Sequence, residues 1–348
     1  MKHHDQLSFA DQERASRQRG VSRATTRLRA IAQFVNWGAL EALLPGKDKR
    51  TEAARRAGGR PRYPEKMMIR LIMLQYLYDL SDAELEEQVI DRSSFQEFAL
   101  LGTQHTIPDF TTIWRFKEEL AAHGTLTKLF TQLQTDLEQR GLILKQGTII
   151  DATVIPTTFS DPLKQAEREA LLETEAQTGR KHRYLDSEAR STSKIDSKGR
   201  PRFFYGYKGH IAVDLGSKLI RRFSMSSANR QDIEYYPELI TAEDHTIYGD
   251  KGYQKADYRR EAEQAGRTYN VMRKADKYHP LSEADKAFNR TITPHRGQVE
   301  HVFAYMKTKL SLARTRARGL LRNRLRLEMN AILYNIERSL YLLKVKSA

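Results

Sequence analysis

The sequence predicts an α/β protein: a mixed sheet covered by helices, preceded by a helical N-terminal region. Three observations carry this. Apolar residues between 61 and 140 recur at helical spacing. At Gly141 the texture changes to β-branched, apolar runs. Beyond it the order reads strand, strand, strand, helix, strand, helix, strand, helix, which suits a mixed sheet with helices on its faces. No repeat of fixed period is visible.

Residues 1–60 form a polar, basic arm. Arg14, Arg17, Arg19, Arg23, Arg27 and Arg29 cluster there, and only Ile31 to Leu44 is apolar enough for a short helix. Such an arm is either a solvated tail or a segment that follows phosphates. The helical domain, 61–140, opens with Pro64 at a helix start, followed by Met67, Met68, Leu71, Ile72, Leu74 and Leu77; proline suits the first turn because its missing N–H has no helical partner there. Ser81-Asp82-Ala83-Glu84 matches a capping box, in which serine caps a backbone N–H and glutamate reaches back. Pro108-Asp109 opens a third helix with Ile113, Phe116 and Leu120 on its inner face. The short helices suit either a plain bundle or a helix-turn-helix arrangement; in the latter Thr111, Thr112, Arg115 and Lys117 are candidates for DNA contact.

Gly147 to Ile155 reads as a strand, and 161–202 as a charged loop or insertion with one helical stretch. Phe203 to Leu215 and Lys218 to Met225 read as a hairpin turning at Leu215-Gly216-Ser217. A helix over Ile233 to Ala242, a short strand Thr246 to Tyr248, a helix over Lys255 to Gln264 and a strand Thr268 to Met272 follow. Helices over Gln298 to Leu312 and Arg322 to Val345 end the chain. The expected boundaries are a catalytic domain at 141–313 and a C-terminal basic segment and helix at 314–348. Phe203, Phe204, Tyr205 and Tyr207 alternate with Arg202 and Lys208; this fits a strand with one face in a core, or base stacking with phosphate grip. His210 reads as a histidine satisfied in the core.

Composition narrows the function. The 348 residues contain 59 Lys and Arg against 44 Asp and Glu, a net charge of +15, and a protein this basic commonly meets a polyanion. Apolar residues make up 39%, enough for packed cores. The absence of cysteine excludes disulfides, Cys-ligated zinc and a thiol nucleophile. No His spacing of the HExxH type occurs. No apolar run reaches the roughly 18 residues of a membrane span, and the polar start is unlike a signal peptide; the expectation is a cytoplasmic, nucleoid-associated bacterial protein with no membrane partner.

Three acids stand out. Asp151 interrupts the strand Thr148-Ile149-Ile150-Asp151-Ala152-Thr153-Val154-Ile155, where an unpaired buried carboxylate is costly. Asp250 follows a short strand in Gly249-Asp250-Lys251-Gly252-Tyr253; strand ends aim reacting groups from a rigid base, though the same letters make an ordinary turn. Glu300 shares a helical stripe with Arg296 and Lys307, beside an apolar face of Val299, Val302, Phe303, Met306 and Leu310. Solvent exposure of Asp151 or a plain Arg296–Glu300 pair would be the structural alternatives. Brought together, three carboxylates repel unless a cation joins them. Mg²⁺ is the natural choice, being hard and oxygen-seeking, and two such ions can clamp the attacking and leaving oxygens of a phosphoryl displacement. Arg296 and Lys307 would then hold phosphates.

These residues resemble the DDE transposases of bacterial insertion sequences, the fifth insertion-sequence family and the related fourth. Ile150-Asp151-Ala152-Thr153 is similar to the first catalytic block. Asp186-Ser187-Glu188-Ala189, Lys194 and Tyr205-Gly206-Tyr207-Lys208-Gly209-His210 resemble the block before the second strand, and Ser227-Ala228-Asn229-Arg230-Gln231-Asp232 the next. Tyr248-Gly249-Asp250-Lys251-Gly252-Tyr253 resembles the second catalytic block. His295-Arg296-Gly297-Gln298-Val299-Glu300, with Lys307, resembles the third, the Tyr-Arg-Glu-Lys signature; its tyrosine position falls on Thr293, a departure from the pattern. The likeness covers most of the chain after residue 60.

The resemblance implies a ribonuclease-H-like catalytic core with a mixed five-stranded sheet and a helical N-terminal DNA-binding domain. It implies Asp151, Asp250 and Glu300 as catalytic metal ligands for two Mg²⁺ ions, with Mn²⁺ able to substitute. Arg296, Lys307, Lys208, Arg314 and Arg115 are the expected DNA contacts; of these Arg314, with Arg316 and Arg318, is equally a solvated basic linker. The expected partners are double-stranded DNA, both terminal inverted repeats and target, and a second copy in a homodimeric paired-end complex. The expected activity is metal-dependent cleavage and strand transfer by a cut-and-paste route. A nuclease with the same core that never joins, and a non-catalytic domesticated DNA-binding protein, are the alternatives.

Overall fold

The computed structural model describes residues 23–44, 62–102, 106–161, 165–180, 185–195, 198–275 and 279–347. Seven helices come first: α1 Arg23–Phe34, α2 Trp37–Glu41, α3 Glu65–Leu77, α4 Asp82–Asp91, α5 Ser93–Ala99, α6 Phe110–Ala122 and α7 Thr125–Gln139. The sheet region holds β1 Thr148–Pro156, α8 Gln165–Thr178, β2 Arg190–Ile195, β3 Pro201–Asp214, β4 Ile220–Ser227, α9 Tyr236–Leu239, β5 Thr246–Gly249, α10 Ala256–Gln264 and β6 Thr268–Val271. Two long helices, α11 Glu283–Lys309 and α12 Leu320–Ser347, complete the chain.

The local signals explain the helix starts. Ser81 accepts from Glu84 N–H while the Glu84 carboxylate accepts from Ser81 N–H, and Asp109 caps α6 through Thr112 N–H. Helix α3 is buried on every side, down to Arg70 and Gln75. The Arg70 guanidinium lies 3.8 Å over the Trp37 ring and donates to the Phe98 carbonyl at 2.8 Å. Burial lowers its pKa to about 10. Residues 23–44, inside the stretch expected to be a basic arm, are two packed helices. Leu28, Ile31 and Phe34 are buried, and Arg27 and Arg29 pair with Glu337 and Glu97. The apolar stripe outweighs the charge around it. Residues 1–22 and 45–61, with the remaining arginines of the expected arm, lie outside the described residues.

The sheet runs β2-β3-β1-β5-β6, with β4 also on β3. Strand β1 is central: antiparallel to β3 and parallel to β5, the mixed arrangement of a ribonuclease-H-like core. The expected strands all form, and β2 makes a sixth from the charged segment 161–202, pairing with the first half of β3 while β4 pairs with the second. Its alternation of half-buried and exposed polar residues carries no apolar period, so backbone pairing alone reveals it. Gly206 (φ 157°) sits where β3 passes β1; a Cβ there would meet the Ile155 carbonyl at 2.3 Å. The helix expected over Ile233 to Ala242 is instead a 3-10 turn, Asp232–Tyr235, followed by the single turn of α9, since Pro237 restricts the chain there. Helix α11 begins well before the expected Gln298, because a Ser282–Asp285 capping box starts it, and it runs through Pro294. Proline there removes one helical hydrogen bond, between the helix start and the part carrying Arg296, Glu300 and Lys307.

Two cores cover the two faces. Ile149, Ile155, Ile211 and Val213 face α11, α12 and the N-terminal helices in one continuous cluster; Ile150, Ala212 and Ile247 face α9 and α10 in the other. Helix α12 joins the halves, packing on β4 and on α1, α3, α6 and α7. Asp244 fastens the end of this assembly. It is fully buried, accepts from Arg221 Nη1 at 2.7 Å and Thr148 Oγ1 at 2.5 Å, and pairs with Arg222. Burial pushes its pKa up, but the hydrogen bond and charge of Arg222, with Thr148 and the Thr241 N–H, outweigh that and hold it below the usual value. A depressed folded pKa stabilises above the unfolded value of about 3.9 and is lost as pH falls through the folded one. Asp244→Ala should therefore destabilise by about 3–5 kcal/mol at neutral pH, by stranding Arg221. In urea titrations this penalty should shrink below about pH 4; an equal penalty at pH 7 and pH 3 would remove the ionic component.

Candidate active site

Strand pairing sets the first two acids side by side. Ile150 pairs with Gly249 in parallel register, so the next residues, Asp151 and Asp250, are neighbours across strands about 4.8 Å apart. Both fall on the α11 face, since Asp151 alternates with Ile150 and Asp250 with Gly249. Asp250 caps the short turn Lys251–Tyr253, its Oδ1 accepting from Gly252 N–H at 2.8 Å. Burial, then the charge of Asp250, pushes the Asp151 pKa up to about 7; the Ala152 N–H, Arg296 and Lys194 pull the other way.

Helix α11 brings the third acid. Val299, Val302, Phe303 and Met306 are buried against the sheet, which turns Arg296, Glu300 and Lys307 toward β1. Arg296 Nη2 donates to Glu300 Oε1 at 2.6 Å, and its Nη1 lies 3.6 Å from Asp151 Oδ2. One guanidinium thus spans the two carboxylates. The Glu300 side chain is 62% exposed and that of Asp151 16%, so glutamate is the member free to move. Among the described residues no three of His, Asp and Glu stand close enough to hold a metal ion: Asp151 and Asp250 adjoin, while Glu300 is held on Arg296.

The remaining expected residues divide. Lys307 donates to the Val154 carbonyl at 3.2 Å, and burial, then the charge of Lys194, lowers its pKa. Lys208 emerges on the opposite face from Asp151 and binds the Arg230 carbonyl at 2.7 Å and Asp232 at 2.8 Å, tying segment 230–232 to the sheet. Lys117 is taken by Asp82. Arg115 and Arg314 are exposed and make no ion pair among the described residues, Arg115 on α6 and Arg314 between α11 and α12. His210 is buried, with Nε2 2.8 Å from Ser226 Oγ and its ring stacked on Tyr235; burial lowers its pKa to about 4, as a core histidine requires. Phe203, in the aromatic run, is exposed, whereas Tyr207 is buried.

Two residues near the acids were not singled out by sequence. Asp232 approaches Asp250 across Gly252: a Cβ there would lie 2.9 Å from Asp250 Oδ1 and 3.6 Å from Asp232 Oδ2. The Tyr253 side chain is fully buried with its hydroxyl unpaired, and burial followed by the charges of Asp232, Asp151 and Asp250 raises its pKa. The signal for both lay in motif blocks already noted, but no spacing rule ties them to Asp151.

A mixed sheet whose central strand runs antiparallel to β3 and parallel to β5, with Asp151 within that strand, Asp250 just past the end of its neighbour and Glu300 on a facing helix, is the arrangement of a ribonuclease-H-like core. The transposase DDE domain family model matches residues 143–336 and a transposase domain model (DUF772) matches residues 16–119. The chain belongs to the transposase DDE domain family: it is a DDE transposase, an enzyme of DNA cleavage and strand transfer that depends on divalent metal. A cryo-EM structure of the piggyBac transposase synaptic complex with hairpin DNA is similar at 11% identity, with a TM-score of 0.37, covering 89% of this chain and 73% of that one; at that level it adds nothing to the assignment. No helix among the described residues is long and apolar enough to cross a membrane.

Because burial is the larger cause of the raised Asp151 pKa, Asp250→Asn should lower its midpoint in metal-free protein while leaving it above the usual carboxylate value. Carboxyl ¹³C titration reads this directly; an unmoved midpoint would mean the two acids do not share a site.

Proposed function

We propose that Asp151, Asp250 and Glu300 are the catalytic metal ligands of this transposase, and that the enzyme excises an insertion sequence at its terminal inverted repeats and joins it to target DNA. The observation that supports this most is the parallel register that puts Asp151 beside Asp250 under the helix carrying Glu300. The donor set fits a hard divalent ion: carboxylate oxygens only, with two neighbouring charges whose repulsion a cation would relieve. Bound there, Mg²⁺, as two ions with Mn²⁺ as a substitute, would ready an attacking oxygen and stabilise a leaving one.

The chain's own residues do the rest. Asp151, rigid in the central strand, sets the position; Asp250, fixed by its turn, sets the spacing. Glu300 is exposed and ion-paired, so it can exchange Arg296 for the ion. The released guanidinium then faces a phosphate, for which its planar fork is suited. Lys307, fixed on the β1 backbone, adds a second cation near the acids. Arg115 and Arg314, exposed on the helical part and on the segment before α12, are the proposed outer contacts with DNA. Pairing of two element ends implies a homodimer.

Asp151→Asn should reduce metal-dependent cleavage of terminal-repeat DNA at least about a thousand-fold, as loss of several kcal/mol of metal stabilisation implies, while end binding persists in a mobility-shift assay. Cutting at the parent rate in Mg²⁺ would refute the site. Lys307→Ala should reduce the slope of log K against log salt by about 0.9; an unchanged slope takes Lys307 off the phosphate backbone. Strand joining by purified protein on precut ends separates a transposase from an enzyme that only cuts.

A further inference from the structure

Away from the acids, a cleft of about 490 Å³ lies between α4, α6, the end of β1 and the start of α12. Its floor is the segment linking α11 to α12. Thr315 is fully buried and continues the sheet: its N–H donates to the Pro156 carbonyl at 2.9 Å, and its carbonyl accepts from Thr158 N–H at 3.0 Å. The segment is therefore extended, and Arg314 and Arg316 flank Thr315 on the outward side. In extended chain such side chains recur about every 6.7 Å, close to the interval between phosphates along a stretched nucleic-acid strand.

The acids in the cleft are already occupied. Asp82 pairs with Lys117, Glu118 with Arg322 and Asp79 with Arg326. Arg314 and Arg316 make no ion pair among the described residues, so the surplus charge is theirs. Aromatic rings complete the lining: Trp114 is 42% exposed, and Phe159 lies under the Arg318 guanidinium. The volume is on the scale of one or two nucleotides. Aromatic faces serve unstacked bases, because a duplex keeps its bases covered by one another.

We propose that this cleft binds a short single-stranded stretch of DNA, with Arg314 and Arg316 on successive phosphates and a base against Trp114. The inference rests on the chain acting on DNA, but not on the acid site. Counting along the extended chain, the cleft begins at Thr158, about 23 Å from Asp151 at 3.3 Å per residue, within reach of a strand that leaves the duplex at the site of cutting.

The test uses the full chain in EDTA, an oligothymidine probe and intrinsic fluorescence. The chain has 2 tryptophans, and Trp37 is buried, so a stacked base quenches Trp114 selectively. Oligothymidine should quench the parent protein, and Trp114→Phe should abolish the quench while Trp37 emission remains. Arg314→Ala with Arg316→Ala should weaken binding about ten-fold or more and lower the salt slope by about 1.4. Arg314→Lys with Arg316→Lys, which keeps both charges, should retain the slope and shows that the fold is intact. A quench that survives Trp114→Phe, a slope unchanged by the alanine pair, or stronger quenching by blunt duplex than by oligothymidine would each overturn the proposal. A protein that cuts element ends yet shows no quench loses only this inference; one that binds oligothymidine as described and cuts nothing loses only the assignment of the acids.

Discussion

The parallel pairing of β1 with β5 is the constraint on which the site depends. Neither acid is placed by its own neighbours in sequence. Asp151 lies mid-strand, and Asp250 follows a strand of four residues; only their shared register, Thr148 with Ile247 through Ile150 with Gly249, makes them adjacent. A shift of one residue would send Asp250 to the opposite face, toward α9 and α10. The register is defended by apolar packing on both sides, with Ile149 in one core and Ile150 and Ile247 in the other. Buried Asp244 adds a polar lock through Thr148 and Arg221.

The charge arrangement follows from that adjacency. The Asp250 carboxylate at the end of the neighbouring strand raises the cost of ionising Asp151, and the fold answers with cations on separate elements: Arg296 from α11 and Lys194 from β2. The Arg296 bridge keeps Asp151 and Glu300 compatible without a metal. The third acid stands on a surface-facing helix position rather than in the sheet, so its side chain is more exposed than that of Asp151. Pro294 falls just before this face of α11, between the turn capped by Ser282 and the residues Arg296, Glu300 and Lys307.

Helix α12 and the segment before it give the molecule its continuity. The helix packs on β4 and on four of the N-terminal helices, so the sheet and the helical part share one apolar cluster. The linking segment adds Thr315 beside the end of β1, which holds the arginines near it at fixed positions. Basic side chains on a rigid, strand-like support can meet a polyanion with little ordering cost, unlike those of a free tail.

Much of this was legible in the chain itself. Apolar periodicity determined the helices from 61 to 140, because the buried stripe of an amphipathic helix is local. Ser81-Asp82-Ala83-Glu84 and Pro108-Asp109 determined two helix starts, because a cap is satisfied within four residues. The strand runs and the Gly216 hairpin were equally local, and the blocks around Asp151, Asp250 and Glu300 pointed to the family that the domain model matches. Tertiary structure alone decided the rest. Strand β2 has no apolar period, so only its hydrogen bonds to β3 reveal it. Residues 23–44 carry arginines that read as a phosphate-following arm, yet Leu28 and Ile31 place them in the core. Strand alternation turns Lys208 to the face opposite Asp151, where it pairs with Asp232, and Asp232 and Tyr253 approach the acids through contacts that no spacing encodes. Sequence determines what each short segment prefers; which distant carboxylates, cations and rings come to share one place depends on register and packing, which exist only in the folded chain.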